Sequence, residues 1–119
     1  MSSADLTGAN LINSNFTGAD LKKSTLHNAI AIHANFTDAT LTDAILHHAD
    51  LSDAILINAK LNNCDMRFAD LTFARLGGTD LSNAFLFGAD LRSANLIGAT
   101  IYRSQLNEVL ANEATLRGL

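Results

Sequence analysis

Ala84-Phe85-Leu86-Phe87-Gly88-Ala89-Asp90-Leu91-Arg92-Ser93-Ala94-Asn95-Leu96-Ile97-Gly98 contains one five-residue unit three times over. Each unit has a small residue, a spacer, a Leu, a variable residue and a short or turn-forming residue. Followed outward, the unit keeps its register from Leu6 to Leu116 without an insertion. Those 23 positions, five apart, hold 17 Leu, Phe16, Phe36, Met66, Ile101, Ala31 and Ala111. The positions two residues earlier, from Ala4 to Ala114, hold 17 Ala, three Ser, Cys64, Thr79 and Val109. One column is large and apolar, the other small.

A five-residue period suits neither common element. On an α-helix it smears the apolar groups around the cylinder. On a flat strand it sends alternate repeats to opposite faces. A chain that bends once per repeat keeps both columns pointing inward, and that is a solenoid coil. The residues two after each large position support the bend. Of these 23, six are Gly, five Asn, three Asp and two His, all suited to positive φ. A type II turn requires positive φ at its third residue, so each turn runs from the large residue to the next small one, as in Leu86-Phe87-Gly88-Ala89. Phe68 and Phe73 also occupy this column, and there the reading expects strained or altered turns. Pro is absent, which fits a backbone that bonds to the coils above and below, since Pro lacks the N–H such a ladder uses.

Composition narrows the class. The 119 residues suffice for one domain, and 48% apolar content supports a core. Eight basic against twelve acidic side chains give a formal charge of −4, which disfavours a phosphate-binding surface. Apolar runs stop at four residues, as in 29–32 and 54–57, far short of the ~20 a membrane helix needs. No basic segment followed by an apolar stretch opens the chain, so the cytoplasm is the expected compartment. A single Cys excludes an intrachain disulfide framework.

Ala4-Asp5-Leu6, Ala9-Asn10-Leu11, Ala19-Asp20-Leu21, Ala49-Asp50-Leu51, Ala69-Asp70-Leu71, Ala89-Asp90-Leu91 and Ala94-Asn95-Leu96 resemble the Ala-Asp/Asn-Leu-x-x motif of the pentapeptide repeat family. The resemblance is firm over residues 4 to about 103. It implies an all-β solenoid, a right-handed quadrilateral β-helix in which four repeats make one square coil, five to six coils in all. It also points to a bacterial, particularly cyanobacterial, source.

On that frame Leu6, Leu11, Phe16, Leu21, Leu26, Phe36, Leu41, Leu46, Leu51, Leu56, Leu61, Met66, Leu71, Leu76, Leu81, Leu86, Leu91, Leu96 and Ile101 form the core. Ala31 and Ala111 leave thin spots in it. The β-helix is assigned to residues 1–103 and a cap of the same domain to 104–119. The cap is read as a short C-terminal helix, in which Leu106, Val109 and Leu110 fit a helical stripe and Ser104 is a candidate N-cap, or else as a last irregular coil. No N-terminal cap is encoded, so the alternatives are a monomer or an end-to-end homodimer.

Two surface features stand out as candidate partner sites. Asp50, Asp70 and Asp90 lie 20 residues apart and form an acidic ladder on a four-sided coil, read as a cation site, a phosphate mimic or a solvated face. Phe68, Phe85 and Phe87 fall on or beside one face, with Phe73 on the next. Ile12 and Ile32 stack on another with Ile30 beside them, while Ile45, Ile55, Ile57 and Ile97 point outward. His27, His47 and His48 converge with His33 nearby in sequence, but no recognised metal-ligand spacing completes the set. Cys64 reads as a buried structural thiol. Nothing forms a nucleophile–base pair or a phosphate-binding loop, so no catalytic residue, metal or cofactor is assigned. Basic residues are few and scattered, which disfavours direct nucleic-acid binding.

The functional reading is a non-catalytic structural or protein-interaction module with an unidentified protein partner, not an enzyme and not a membrane protein. The alternative implied by the resemblance is a DNA mimic that binds DNA gyrase or another topoisomerase and protects it from quinolones.

Overall fold

A computed structural model describes residues 2–106 and 109–111. The turn is its unit of construction. The Ala9 N–H donates to the Leu6 carbonyl at 3.0 Å, and the same closure recurs as far as Ala99 onto Leu96. The third turn residue has φ between 56° and 76° at every repeat from Ser3 to Gly98, the type II pattern. Phe68 and Phe73 are no exception. Their φ values of 58° and 60° match the 59° of Asn83, so the altered geometry expected there is not found.

Between turns each repeat bonds to the coils on either side. The Leu6 N–H donates to Thr25 O at 2.7 Å, Thr25 N–H to Ala4 O at 2.9 Å and Gly8 N–H to His27 O at 2.8 Å. Parallel bridges join residues 20 apart from Asp5↔Thr25 to Asp80↔Thr100. Four pentapeptides therefore make one coil. Each face is so short that a single residue per repeat is paired as β-structure.

Ladder and turn together use four of the five amides in a repeat, three bonding to neighbouring coils and one closing the turn. Where the spacer is Asp or Asn, its side chain satisfies the fifth, just after the large apolar residue: Thr7 N–H donates to Asp5 Oδ1 at 3.0 Å, Thr72 N–H to Asp70 Oδ1 at 2.9 Å, Ile97 N–H to Asn95 Oδ1 at 3.0 Å. Each Asp or Asn at this position among the described residues makes that bond. The Asx preference of the repeat is thus a local turn requirement, and Pro at the small, spacer, large or third-turn position would forfeit a backbone bond.

Five coils are centred on Leu6–Leu21, Leu26–Leu41, Leu46–Leu61, Met66–Leu81 and Leu86–Ile101. They form a rod of 32 × 23 × 22 Å. The large column fills a dry shaft with Leu21 through Leu96 essentially inaccessible. Leu6 and Phe16 are only partly buried, a correction to the predicted core, because the first coil is covered by a neighbouring coil on one side alone. Ala31 is fully buried, and its layer also contains Phe36, whose ring stacks on Phe16 at 5.1 Å. The smallest central residue thus shares a layer with the largest. Polar members of the small column are accommodated by carbonyls: Thr79 Oγ1 donates to Leu56 O at 2.6 Å and Cys64 Sγ to Leu41 O at 2.8 Å.

Beyond the fifth coil the register breaks on one face. Arg103–Leu106 form a single turn of 3₁₀ helix. Ser104 lies inside it, and Tyr102 takes the cap position instead. The Tyr102 N–H donates to Gln105 Oε1 at 2.8 Å, the half of a capping box in which the N3 side chain reaches back, while Gln105 N–H closes the 3₁₀ turn on Tyr102 O at 2.9 Å. Leu110 does not continue a helical stripe; it rejoins the ladder, bridged to Asp90. The remainder of the expected cap, 107–108 and 112–119, lies outside the described residues.

Candidate functional site: an aromatic corner

Twenty-residue stacking brings distant residues into columns. At the corner after the first face, one column reads Thr7, His27, His47, Arg67, Phe87 and the next Gly8, Asn28, His48, Phe68, Gly88. The spacer column on that face ends in Asp65 and Phe85, which are bridged. The structure therefore joins two groups that the sequence reading kept apart, the histidines and the phenylalanines.

Contacts along the corner are continuous. The His27 and His47 rings lie 3.9 Å apart, His48 stacks on Phe68 at 5.1 Å and 12°, and Phe68 meets Phe87 edge-on at 5.6 Å. Asn28 Nδ2 lies 3.0 Å from His27 Nε2, and His27 Nδ1 3.1 Å from His47 O. A carbonyl only accepts, so Nδ1 carries the proton and Nε2 accepts from the Asn28 amide. Burial and the neighbouring His27 hold the His47 pKa below its ordinary value, with Asp65 opposing. His33 belongs to the following corner and does not join the group. Among the described residues, no group of three or more His, Cys, Asp or Glu could hold a metal ion.

Arg67 stands at the centre of the corner. Its guanidinium binds Asp65 bidentately, Nε to Oδ1 at 2.8 Å and Nη2 to Oδ2 at 2.7 Å. The pair lowers the Asp65 pKa through that hydrogen bonding and raises that of Arg67. Two clefts meet at Arg67. One of about 210 Å³ is lined by His47, His48, Arg67 and Phe68. The other, about 510 Å³, lies between Phe85, Phe87, Asn83 and Gln105. Sequence reasoning missed Arg67, Asn83 and Gln105. Writing the chain in rows of 20 would have placed Arg67 between His47 and Phe87, whereas no signal marked Gln105.

The acidic ladder is present, with Asp50, Asp70 and Asp90 bridged in succession, but its carboxylates are engaged. Asp50 accepts from Ser52 N–H and Oγ, Asp70 from Thr72 N–H and Oγ1. Asp90 is bidentate with Arg92, which depresses its pKa. Cys64 is wholly buried and its thiol is pushed up to about 12 by desolvation, so thiolate chemistry is closed to it. No helix among the described residues is long and apolar enough to cross a membrane.

A square coil with an inward Leu/Ala shaft and Asx-closed turns defines the pentapeptide-repeat right-handed β-helix. The pentapeptide repeats family model matches eight copies, over residues 1–33, 19–56, 56–88 and 74–110, and the chain belongs to that family. It is similar to a pentapeptide repeat protein of the Arabidopsis thaliana thylakoid lumen (28% identity, TM-score 0.75, 87% of this chain and 69% of that one). It is also similar to HetL of the cyanobacterium Nostoc, involved in heterocyst differentiation regulation (30% identity, TM-score 0.66, 99% of this chain and 62% of HetL). QnrB1, a plasmid-mediated fluoroquinolone resistance protein, shares the fold at 20% identity and TM-score 0.60, covering 99% of this chain and 79% of that one. No curated protein matches the chain at a significant level.

Proposed function

We propose that this protein is a non-catalytic interaction module whose contact surface is the aromatic corner. One observation carries the reading: Phe68, Phe85 and Phe87 are about half exposed or more, at 49%, 61% and 52%, and gather around Arg67 beside an open cleft. Exposed aromatics grouped with an Arg are the composition of binding hot spots. Phe68 also holds a left-handed conformation that a bulky side chain disfavours, and local cost of this kind concentrates at functional sites.

The gyrase-mimic reading has weaker support. Asp90 is neutralised by Arg92 and Asp65 by Arg67, which leaves a short and interrupted row of negative charge. Supercoiling by gyrase should be unchanged at high molar excess of the protein; inhibition or quinolone protection would reinstate the mimic. The interaction reading is tested with the Phe85→Ser/Phe87→Ser variant. It should fold as the parent does and lose partners that the parent retains when both are used as bait in the native host. An identical set of retained proteins would remove the corner from consideration.

A further inference from the structure

On the first face, the central residue of every earlier coil donates its N–H upward: Leu6 to Thr25 O, Leu26 to Ile45 O, Leu46 to Asp65 O and Met66 to Phe85 O, at 2.7–2.8 Å. Leu86 is next in that series. Among the described residues no backbone carbonyl accepts from its N–H, because the chain at 103–106 has turned away into the 3₁₀ helix. The carbonyl series on the same face shows the substitution directly. Ala4, Ser24, Ala44 and Cys64 each accept from a backbone amide one coil on. Ala84 accepts instead from Gln105 Nε2, at 3.1 Å, and the same amide nitrogen reaches Leu81 O at 2.8 Å. On the neighbouring face the ladder resumes, with Leu91 N–H on Leu110 O. Of the two faces that the described residues cover beyond the fifth coil, the first is the one where stacking is interrupted. The cleft of about 510 Å³ lies over that interruption, lined by Asn83, Ala84, Phe85, Leu86, Phe87, Gln105 and Arg67.

We propose that the 83–87 edge is a strand-addition site: it takes an extended apolar peptide segment of a partner protein as the missing rung of the first face. This rests on the interaction reading above and specifies its mode. A peptide strand lying one ladder spacing, ~4.8 Å, above Leu86 brings a carbonyl within hydrogen-bond reach of the N–H that lacks an acceptor. Alternate side chains of an extended peptide point to the same side, so one set faces Phe85 and Phe87. Arg67, held by Asp65, and the Asn83 amide supply polar walls. Backbone pairing gives affinity in such recognition and the side-chain pocket gives selectivity. A compact ligand without a backbone carbonyl leaves Leu86 unpaired. A second copy of this chain brings its own formal charge of −4 against this one, which opposes self-pairing.

Amide hydrogen exchange with a displayed library of random twelve-residue peptides tests the proposal. In the peptide-free monomer the Leu86 amide should exchange much faster than those of Leu26, Leu46 and Met66. Selection on the folded protein should enrich peptides of alternating apolar character. Adding an enriched synthetic peptide should slow Leu86 exchange by at least about tenfold, and Phe87→Ala should weaken its binding by at least about tenfold, the loss of one aromatic anchor. A Leu86 amide already protected in the dilute monomer overturns the proposal, as does enrichment no greater than on Phe85→Ser/Phe87→Ser. Protection that rises with protein concentration alone assigns the edge to a second copy. Peptides that require Phe87 yet leave Leu86 exchanging freely overturn strand addition while leaving the aromatic corner as an interaction surface.

Discussion

Phe73 is 61% exposed and sits at φ 60°. A bulky L-residue in the left-handed region gives up ~1–2 kcal/mol relative to one that tolerates it, and at Phe73 no described ring contact offsets that. Phe68 has the same backbone but also packs on His48 and Phe87. The two positions therefore separate in their response to Asn, the residue most often found with Gly in this column. Phe73→Asn should raise stability by about 1 kcal/mol in denaturant melts, whereas Phe68→Asn should gain less because it forfeits those contacts. A Phe73→Asn variant no more stable than the parent would show that the turns carry no such cost.

At the scale of the repeat, the main determinants were legible as columns. Leu and Ala marked the inward pair, Gly and Asn the turn, and the unbroken period the solenoid. The Asx column was visible too, but its cause was not: satisfaction of the one amide that the ladder misses depends on where the turn places that N–H. The exit near residue 103 was legible, but how it is closed was not, for a similar reason. Gln105 occupies an ordinary spacer position, and only the geometry shows its side chain replacing a backbone donor. Arg67 was lost because a period of five conceals the period of 20 that stacks it between His47 and Phe87.

The corner also makes a coupling prediction. A methyl group on Gly88 would lie 2.5 Å from Cδ1 and Cε1 of Phe68, and φ at Gly88 is 72°. Gly88→Ala should destabilise the protein, and more so with Phe68 present than in a Phe68→Ala background. The double-mutant cycle should show a favourable coupling above the ~0.5 kcal/mol limit of additivity. Additive effects would mean that the Phe68 ring does not lie over Gly88.

Across the whole molecule, charge and stability are linked through the same corner. The folded-state pKa of His47 is depressed, so the folded state binds fewer protons there than the unfolded chain. That contribution is complete above the unfolded value of ~6.5 and is lost as pH falls below it. Asp65 and Asp90 are depressed as well; their contributions are present above ~4 and fade as pH falls through their folded values. Melting temperature should rise with pH across the histidine range, level off towards neutrality, and drop further below ~4. His47→Ala should flatten the upper limb alone. A melting temperature that climbs on acidification from pH 7 to 5 would contradict the assignment.

All of this rests on coils of 20 residues, and hydrogen-bond scalar couplings in NMR read that spacing bond by bond. The account predicts couplings from the Leu26 amide to the Ile45 carbonyl, from Leu46 to Asp65 and from Met66 to Phe85, with none from Leu86. Correlations at any other separation, or an absence of cross-coil correlations for Leu26, Leu46 and Met66, would contradict it.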